Sequence, residues 1–329
     1  MTLPTQTVTL SDVFTRYAYN KIGDSKYKDN KYKRRPILQL LREEKLTGDG
    51  GPNIVHPVNL GTSANGRSLS RNETFSIVGD VNETWSRWTW STVIETCFVS
   101  WWDIRESRGN RFKMQGILDS RIDETGENLM DNVSTMLAQT SAADADDINP
   151  ILQIVATTGA AGGLNPATAG QSAWAAESET TINWNVEGVG RTREGISKVE
   201  DNKGDIDVII LPDQMWNETC EIGDAATQYT IDAKTKGGTK YADLGMKVPF
   251  ILNTPVIRDP AWNTAQTATG VGLDLADIHL VVDPQWDMYM YPFKDMYANG
   301  RLGQASVQLL VAQLTCSRRR TQLLLGTLS

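Results

Sequence analysis

Two histidines and three cysteines are all that this 329-residue chain offers as imidazole bases and thiols. His56 lies between Val55 and Pro57, His279 sits in the apolar run IHLVV, and Cys97, Cys220 and Cys316 are far apart. A histidine beside Cys97 or Cys220 would make a thiolate nucleophile. No local signature supports such a pair, so both histidines are expected to be structural. Metal spacings such as C-x-x-C or H-E-x-x-H are absent. Asp205 and Asp207 in GDID share one side of a strand and could hold a divalent cation, but no third ligand is in view. GAAGGLNPAT, Gly159 to Thr168, lacks the Gly-Lys-Ser/Thr of a phosphate loop and reads as turn punctuation. EGVGRTREG lacks the strand and spacing of a dinucleotide fingerprint. The expectation is a non-enzyme without metal or cofactor.

What remains is the chemistry of contact. KYKDNKYKRR, Lys26 to Arg35, holds Lys26, Lys28, Lys31, Lys33, Arg34 and Arg35 against one acid. From Arg16 to Lys45, ten Lys/Arg face four Asp/Glu, so this segment is +6 and the rest of a −8 chain is −14. Such asymmetry suits an arm that touches something acidic, either nucleic acid or another copy of the chain; a solvated arm is the plain alternative. Tyr27 and Tyr32 could stack on bases or pack on protein. Five of ten tryptophans, Trp85, Trp88, Trp90, Trp101 and Trp102, fall within one short region. Indoles can stack on sugars, which opens a carbohydrate-binding adhesin reading. The helix described below and the lack of an export signal weigh against it.

The elements that would carry these residues are mixed. Composition is globular, with 40% hydrophobic and 22% charged residues. No apolar run reaches membrane-spanning length. The odd cysteine number fits reduced thiols. Residues 1–50 read as an extended arm with a short helix near Pro36–Lys45, Pro being at home in a first turn. Residues 51–102 read as a long β-hairpin with a mobile tip at about 62–84. In its return strand Trp88, Trp90, Thr92, Ile94, Thr96 and Phe98 are expected on one face, with Arg87, Thr89, Ser91, Val93, Glu95 and Cys97 on the other. Residues 110–141 carry a helical stripe, Met114, Leu118, Ile122, Leu129, Val133 and Met136 or Leu137, behind an Asn110 cap. Residues 148–300 alternate strands and helices, with Val208–Leu211 a buried strand and Pro212 opening a helix. The tail SVQLLVAQLTCSRRRTQLLLGTL reads as strand, turn, strand.

In this order the parts resemble the major capsid protein of tailed bacteriophages, the Hong Kong 97-type fold. RWTWSTVIETCFVSWWDIRESRGN looks like the return strand of that family's extended loop. INPILQIVATTGAAGGLNPATAGQSAW is similar to its apolar stretch with a following GG-[IL]-[ND]-x-A-T…W passage. DIDVIILPDQMW, KVPFILNTPVI and QLTCSRRRTQLLLGTL resemble its strand–Pro–helix, its Val-Pro strand and its closing strand pair. The resemblance implies an α+β fold. Its parts are an N-terminal arm (1–50), an extended loop (51–102), a peripheral domain (103–147 and 301–329) with a spine helix near 110–141, and an axial domain (148–300). It further implies pentamers and hexamers of an icosahedral head shell around packaged double-stranded DNA, assembled in the host cytoplasm. Partners would be other copies of the chain, a scaffolding protein on a separate chain, a portal, a decoration protein, and DNA held without sequence preference; no membrane is involved. Lys26, Lys28, Lys31, Lys33, Arg34 and Arg35 of the arm, with Trp85, Trp88 and Trp90 of the hairpin, are then expected at subunit interfaces. An encapsulin-like bacterial shell is the alternative within this fold.

Overall fold

The structure is a computed structural model that describes residues 34–48, 50–61, 83–106, 111–179, 182–226, 249–296 and 302–326. Lys26, Lys28, Lys31, Lys33, the Asn110 cap and residues 62–82 of the expected hairpin tip lie outside them. Glu83 and Thr84 are already in a strand. The described residues form a mixed fold of helices and sheets. They divide into two compact units, one within Glu95–Asn128 and Met290–Gln308, the other within Arg34–Ile94, Leu129–Tyr289 and Leu309–Ser329.

Helix α1, Pro36–Glu43, starts on a proline whose missing N–H costs nothing there, and it buries Ile37, Leu38, Leu40 and Leu41. Strand β1 is Leu46–Thr47. Strands β2, Asn53–Asn59, and β3, Glu83–Thr89, pair antiparallel from Asn53 opposite Thr89 to Asn59 opposite Glu83. Strand β4, Ser91–Ser100, follows at once, then helices α2, Trp101–Glu106, and α3, Arg111–Ala138. The stripe of α3 ends in Leu129, Val133 and Leu137, all core side chains. Short helix α4, Ile151–Val155, and strand β5, Glu177–Glu179, lead to helix α5, Trp184–Asp201. Strand β6 is Val208–Ile210, fully buried, and Pro212 precedes helix α6, Asp213–Ala226. Strands β7, Phe250–Ile251, and β8, Thr254–Ile257, precede helix α7, Pro260–Ala265. Strands β9, Gly270–Leu273, β10, Ile278–Val282, β11, Tyr289–Met290, and β12, Lys294–Asp295, follow. Strands β13, Gly303–Cys316, and β14, Leu323–Leu325, close the chain.

In the larger unit, a six-stranded sheet runs β5-β14-β9-β6-β8-β7. Beside it β1 lies parallel to β10, and β10 pairs antiparallel with residues 312–316 of β13. In the smaller unit β12 pairs with Gln304 and Ala305 of β13, and Trp101 N donates to Leu302 O at 3.1 Å.

Two expectations need correction. The return strand is not one ladder with one buried face. It breaks at Trp90, and the buried positions change from Ser86 and Trp88 in β3 to Ser91, Val93, Cys97 and Val99 in β4. Side chains alternate along a strand, so one residue outside the ladder exchanges its faces. Ile94 and Phe98 therefore sit on the exposed side. The tail is also not a strand pair. β14 pairs with β5 and β9, whereas β13 pairs with β10 and β12.

Candidate functional site

The hairpin has two unlike faces. Its inner face carries Ile54, His56, Val58, Ser86 and Trp88. Trp88 is 3% exposed and its Nε1 donates to Ser86 Oγ at 3.2 Å. The indole rests on Gly162, whose φ of +59° suits glycine; a Cβ there would lie 2.7 Å from the ring. Arg87 N donates to Gly162 O at 2.8 Å, so the turn residues of GAAGGLNPAT seat the hairpin. The outer face sets Pro57 opposite Trp85 and Val55 opposite Arg87. Trp85 is 56% exposed and Val55 44%. Of the three expected interface tryptophans, only Trp85 is presented in this way. Trp88 is a core residue, because β3 turns its even positions inward. Trp90 is half-buried, with Nε1 donating to Gly51 O at 3.0 Å.

The root of the arm is tied down by its own chain. Arg35 has a side chain only 11% exposed, with Nε 3.6 Å from Asp131 Oδ1. Asp259 serves two helix starts. Its Oδ1 accepts from Ala261 N and Trp262 N of α7, and its Oδ2 accepts from Ile37 N of α1 at 3.2 Å. Burial pushes this carboxyl up, against the pull of those N–H groups and of Arg35. Asp287 accepts from Arg42 Nη2 at 3.0 Å and from Lys45 Nζ. Nothing local in the sequence marks the bond of Asp259 to Ile37 or that of Asp287 to Arg42, since these partners lie more than 200 residues away.

His56, Cys97, Cys316 and Asp207 are engaged in packing and structural hydrogen bonds. Thr315 Oγ1 donates to His279 O at 3.3 Å, which leaves its oxygen to accept from His56 Nε2 at 3.1 Å. Burial first, and His279 second, lower the pKa of His56. Cys97 and Cys316 are buried, and burial pushes the Cys316 thiol far up. Asp207 Oδ2 accepts from Leu275 N at 3.0 Å. Among the described residues no group of three or more His, Cys, Asp or Glu is placed to hold a metal. An open pocket of about 380 Å³, lined by residues such as Thr140, Leu152, Gln153 and Gln266, contains no titratable side chain. The indole N–H groups of Trp174, Trp184 and Trp262 donate to Ala161 O, Thr219 Oγ1 and Thr269 O. Those tryptophans are core, not a sugar-stacking surface.

The His56 geometry has a pH consequence. Above the ordinary value of 6.5, folded and unfolded chains both hold the imidazole neutral. As pH falls through 6.5, the unfolded chain takes up a proton that the folded site resists, so stability falls. His56→Gln keeps an N–H for Thr315 and removes the titration. Urea midpoints measured from about pH 7.5 to 5 should therefore fall less in the variant than in the native chain. Equal slopes would show that His56 contributes nothing to the acid sensitivity.

No family model and no curated protein matches the sequence. Solved structures do. A chain of the cyanophage A-1(L) capsid asymmetric unit superposes with a TM-score of 0.62 at 15% identity, covering 91% of this chain and 94% of that one. A chain of Microbacterium phage Oxtober96 gives 0.60 at 10% identity, covering 97% and 99%. A chain of Mycobacterium phage Bobi gives 0.57 at 12% identity, covering 98% and 99%. The chain thus has the fold of a phage capsid protein along nearly its full length.

Proposed function

We propose that this chain is the major capsid subunit of a tailed phage, assembling as pentamers and hexamers into the icosahedral head shell that encloses double-stranded DNA. The observation that carries the reading is the full-length match to the cyanophage capsid chain. The hairpin acts as an extended loop whose outer face, Val55, Pro57 and Trp85, lies on a neighbouring subunit. An indole that is more than half exposed beside a proline is the kind of anchor that interfaces use. α3 acts as the spine helix. The arm beyond Arg34, with Lys26 and Lys28, reaches acidic surface of another subunit, with packaged DNA a second partner. A scaffolding protein on another chain, a portal and a decoration protein complete the assembly, which takes place in the host cytoplasm.

Sedimentation and electron microscopy of the purified protein, alone and co-expressed with a phage scaffolding protein, test this. Closed shells are expected in at least one condition; a stable monomer in both overturns the proposal. Trp85→Ser should leave the subunit folded, because the side chain is exposed, and should sharply lower shell yield. Wild-type yield from that variant would remove Trp85 from the interface.

A further inference from the structure

The open cavity of about 380 Å³ lies within the larger unit and has a consistent chemistry. Leu152, Ala156, Ala160 and Leu324 give it an apolar lining, and none of its lining side chains is titratable. A charged group entering it would lose water and gain no counter-ion. Much of the polar wall is already engaged. Arg319 holds the carbonyls of Gln153, Ala156 and Gly159, three of the residues that line the cavity. Gln266 Nε2 donates to Ala138 O and to Thr140 Oγ1, each at 3.0 Å, which uses both amide hydrogens. One acceptor is left over. Gln153 Oε1 is buried and has no hydrogen-bond partner among the described residues. Buried acceptors are normally met, so the cavity favours an occupant that brings a donor. The group that fits is uncharged, mainly apolar and carries one N–H or O–H. An indole is such a group.

The chain exposes an indole of this kind. Trp88, Trp174, Trp184 and Trp262 use their N–H groups within the core. Trp85 is 56% exposed, and no described residue accepts from its N–H. Trp102 is similarly exposed, but the Arg105 guanidinium lies over its ring, 5.3 Å from the centroid, and would bring a charge into a neutral cavity. We propose that the Trp85 indole of one copy enters the Gln153 cavity of a second copy, where its N–H donates to Gln153 Oε1. The cavity of its own chain is not its site. β3 turns Trp85 away from the core while Arg87 N is fixed on Gly162 O, and Trp85 does not line the cavity. Indole and cavity are different surfaces of the subunit, so the contact is head-to-tail, the kind that closes rings. The inference rests on the reading that the outer face of the hairpin meets a neighbouring subunit, and it names what that face meets. It also gives Arg319 a second effect. By fixing three carbonyls, the guanidinium holds the cavity in shape before the indole arrives.

Cysteine pairs in full-length particles test the placement, in a Cys220→Ser background that removes the half-buried thiol. Val55→Cys stands diagonal to Trp85 on the outer face and leaves the indole in place. Thr158→Cys stands at the exposed rim of the cavity. A short bis-maleimide should link chains that carry both into ladders on a denaturing gel. Linking should be about tenfold faster than for Val55→Cys with Val186→Cys, an exposed position on α5. A product that migrates as a monomer would put the indole in its own cavity, and linking no faster than in the reference pair would place it elsewhere. Either result overturns the proposal and leaves the shell reading standing, whereas a native chain that stays monomeric overturns both. The hydrogen bond has its own test. Trp85→Phe keeps an aromatic ring without the N–H, and Gln153→Leu removes the acceptor. Each should raise the subunit concentration at which particles form by about tenfold. The double variant should be no worse than either alone, because neither partner is then left unmet. Single variants that assemble like the native chain, or effects that multiply in the double variant, overturn the pairing.

Discussion

Trp88→Ala lowers the unfolding free energy of the chain by about 3–5 kcal/mol, the range for emptying a buried aromatic site. Trp85→Ala, three residues earlier on the same strand, changes it by no more than about 0.5 kcal/mol. The contrast follows from the alternation of β3. Trp85 points away from the core, while Trp88 is enclosed among Ser86, Gly162 and the larger core cluster. Gly162 cannot close the gap left by a shortened side chain. Its positive φ and its carbonyl bond to Arg87 N fix the backbone beneath the ring. Equilibrium urea unfolding of unassembled subunits, followed by far-ultraviolet circular dichroism, reads both values. Similar losses for the two variants would mean that the hairpin does not seat as described.

The same two tryptophans show what the sequence could and could not say. A period of two is visible from Arg87 onward, and it predicts strand. It does not say which parity faces inward, because both faces carry large apolar side chains: Trp88, Ile94 and Phe98 on one, Val93, Cys97 and Val99 on the other. A single residue outside the ladder at Trp90 lets the chain use each set in turn, and no composition rule marks that residue. α1 was legible for a local reason, Pro36 followed by Ile37, Leu38, Leu40 and Leu41. So was the strand at Val208–Ile210, whose apolar run stops at Pro212. The anchoring of α1 was not, since Asp259 is an ordinary Asp-Pro helix cap by sequence and its second duty to Ile37 exists only in three dimensions. The position of β14 was illegible too. QLLLG is apolar enough for any sheet, and only the pairing with β9 and β5 decides which one it enters.

Arg319→Met costs about 3–5 kcal/mol, because a buried cation with several partners is removed and those partners are left behind. The three consecutive arginines have three different situations. Arg318 pairs with Asp277 and Arg320 with Glu177, both with side chains more than half exposed. Arg319 is fully buried and has no carboxylate. Its Nε donates to Ile154 O at 2.7 Å, its Nη1 to Gly159 O at 3.2 Å, and its Nη2 to Gln153 O and Ala156 O at 3.4 and 2.5 Å. These carbonyls belong to the end of α4 and the turn after it. The last carbonyls of a helix have no partner within it, and the negative end of the helix dipole favours a cation. The guanidinium thus replaces the backbone cap that Ala156, in extended conformation, does not provide. Desolvation lowers its pKa from the ordinary guanidinium value to about 10, so it remains charged at neutral pH. The folded chain carries the cost of that buried charge everywhere below about 10 and sheds it only as pH rises above 10. The loss on substitution should therefore be flat between about pH 5 and 9, unlike the His56 effect. Arg319→Lys should recover part of the loss, since an ammonium can bond two or three carbonyls but cannot reproduce the planar fork. Urea unfolding at several pH values measures all of this. If Arg319→Met unfolds at the native midpoint, water satisfies those carbonyls and the arginine is dispensable.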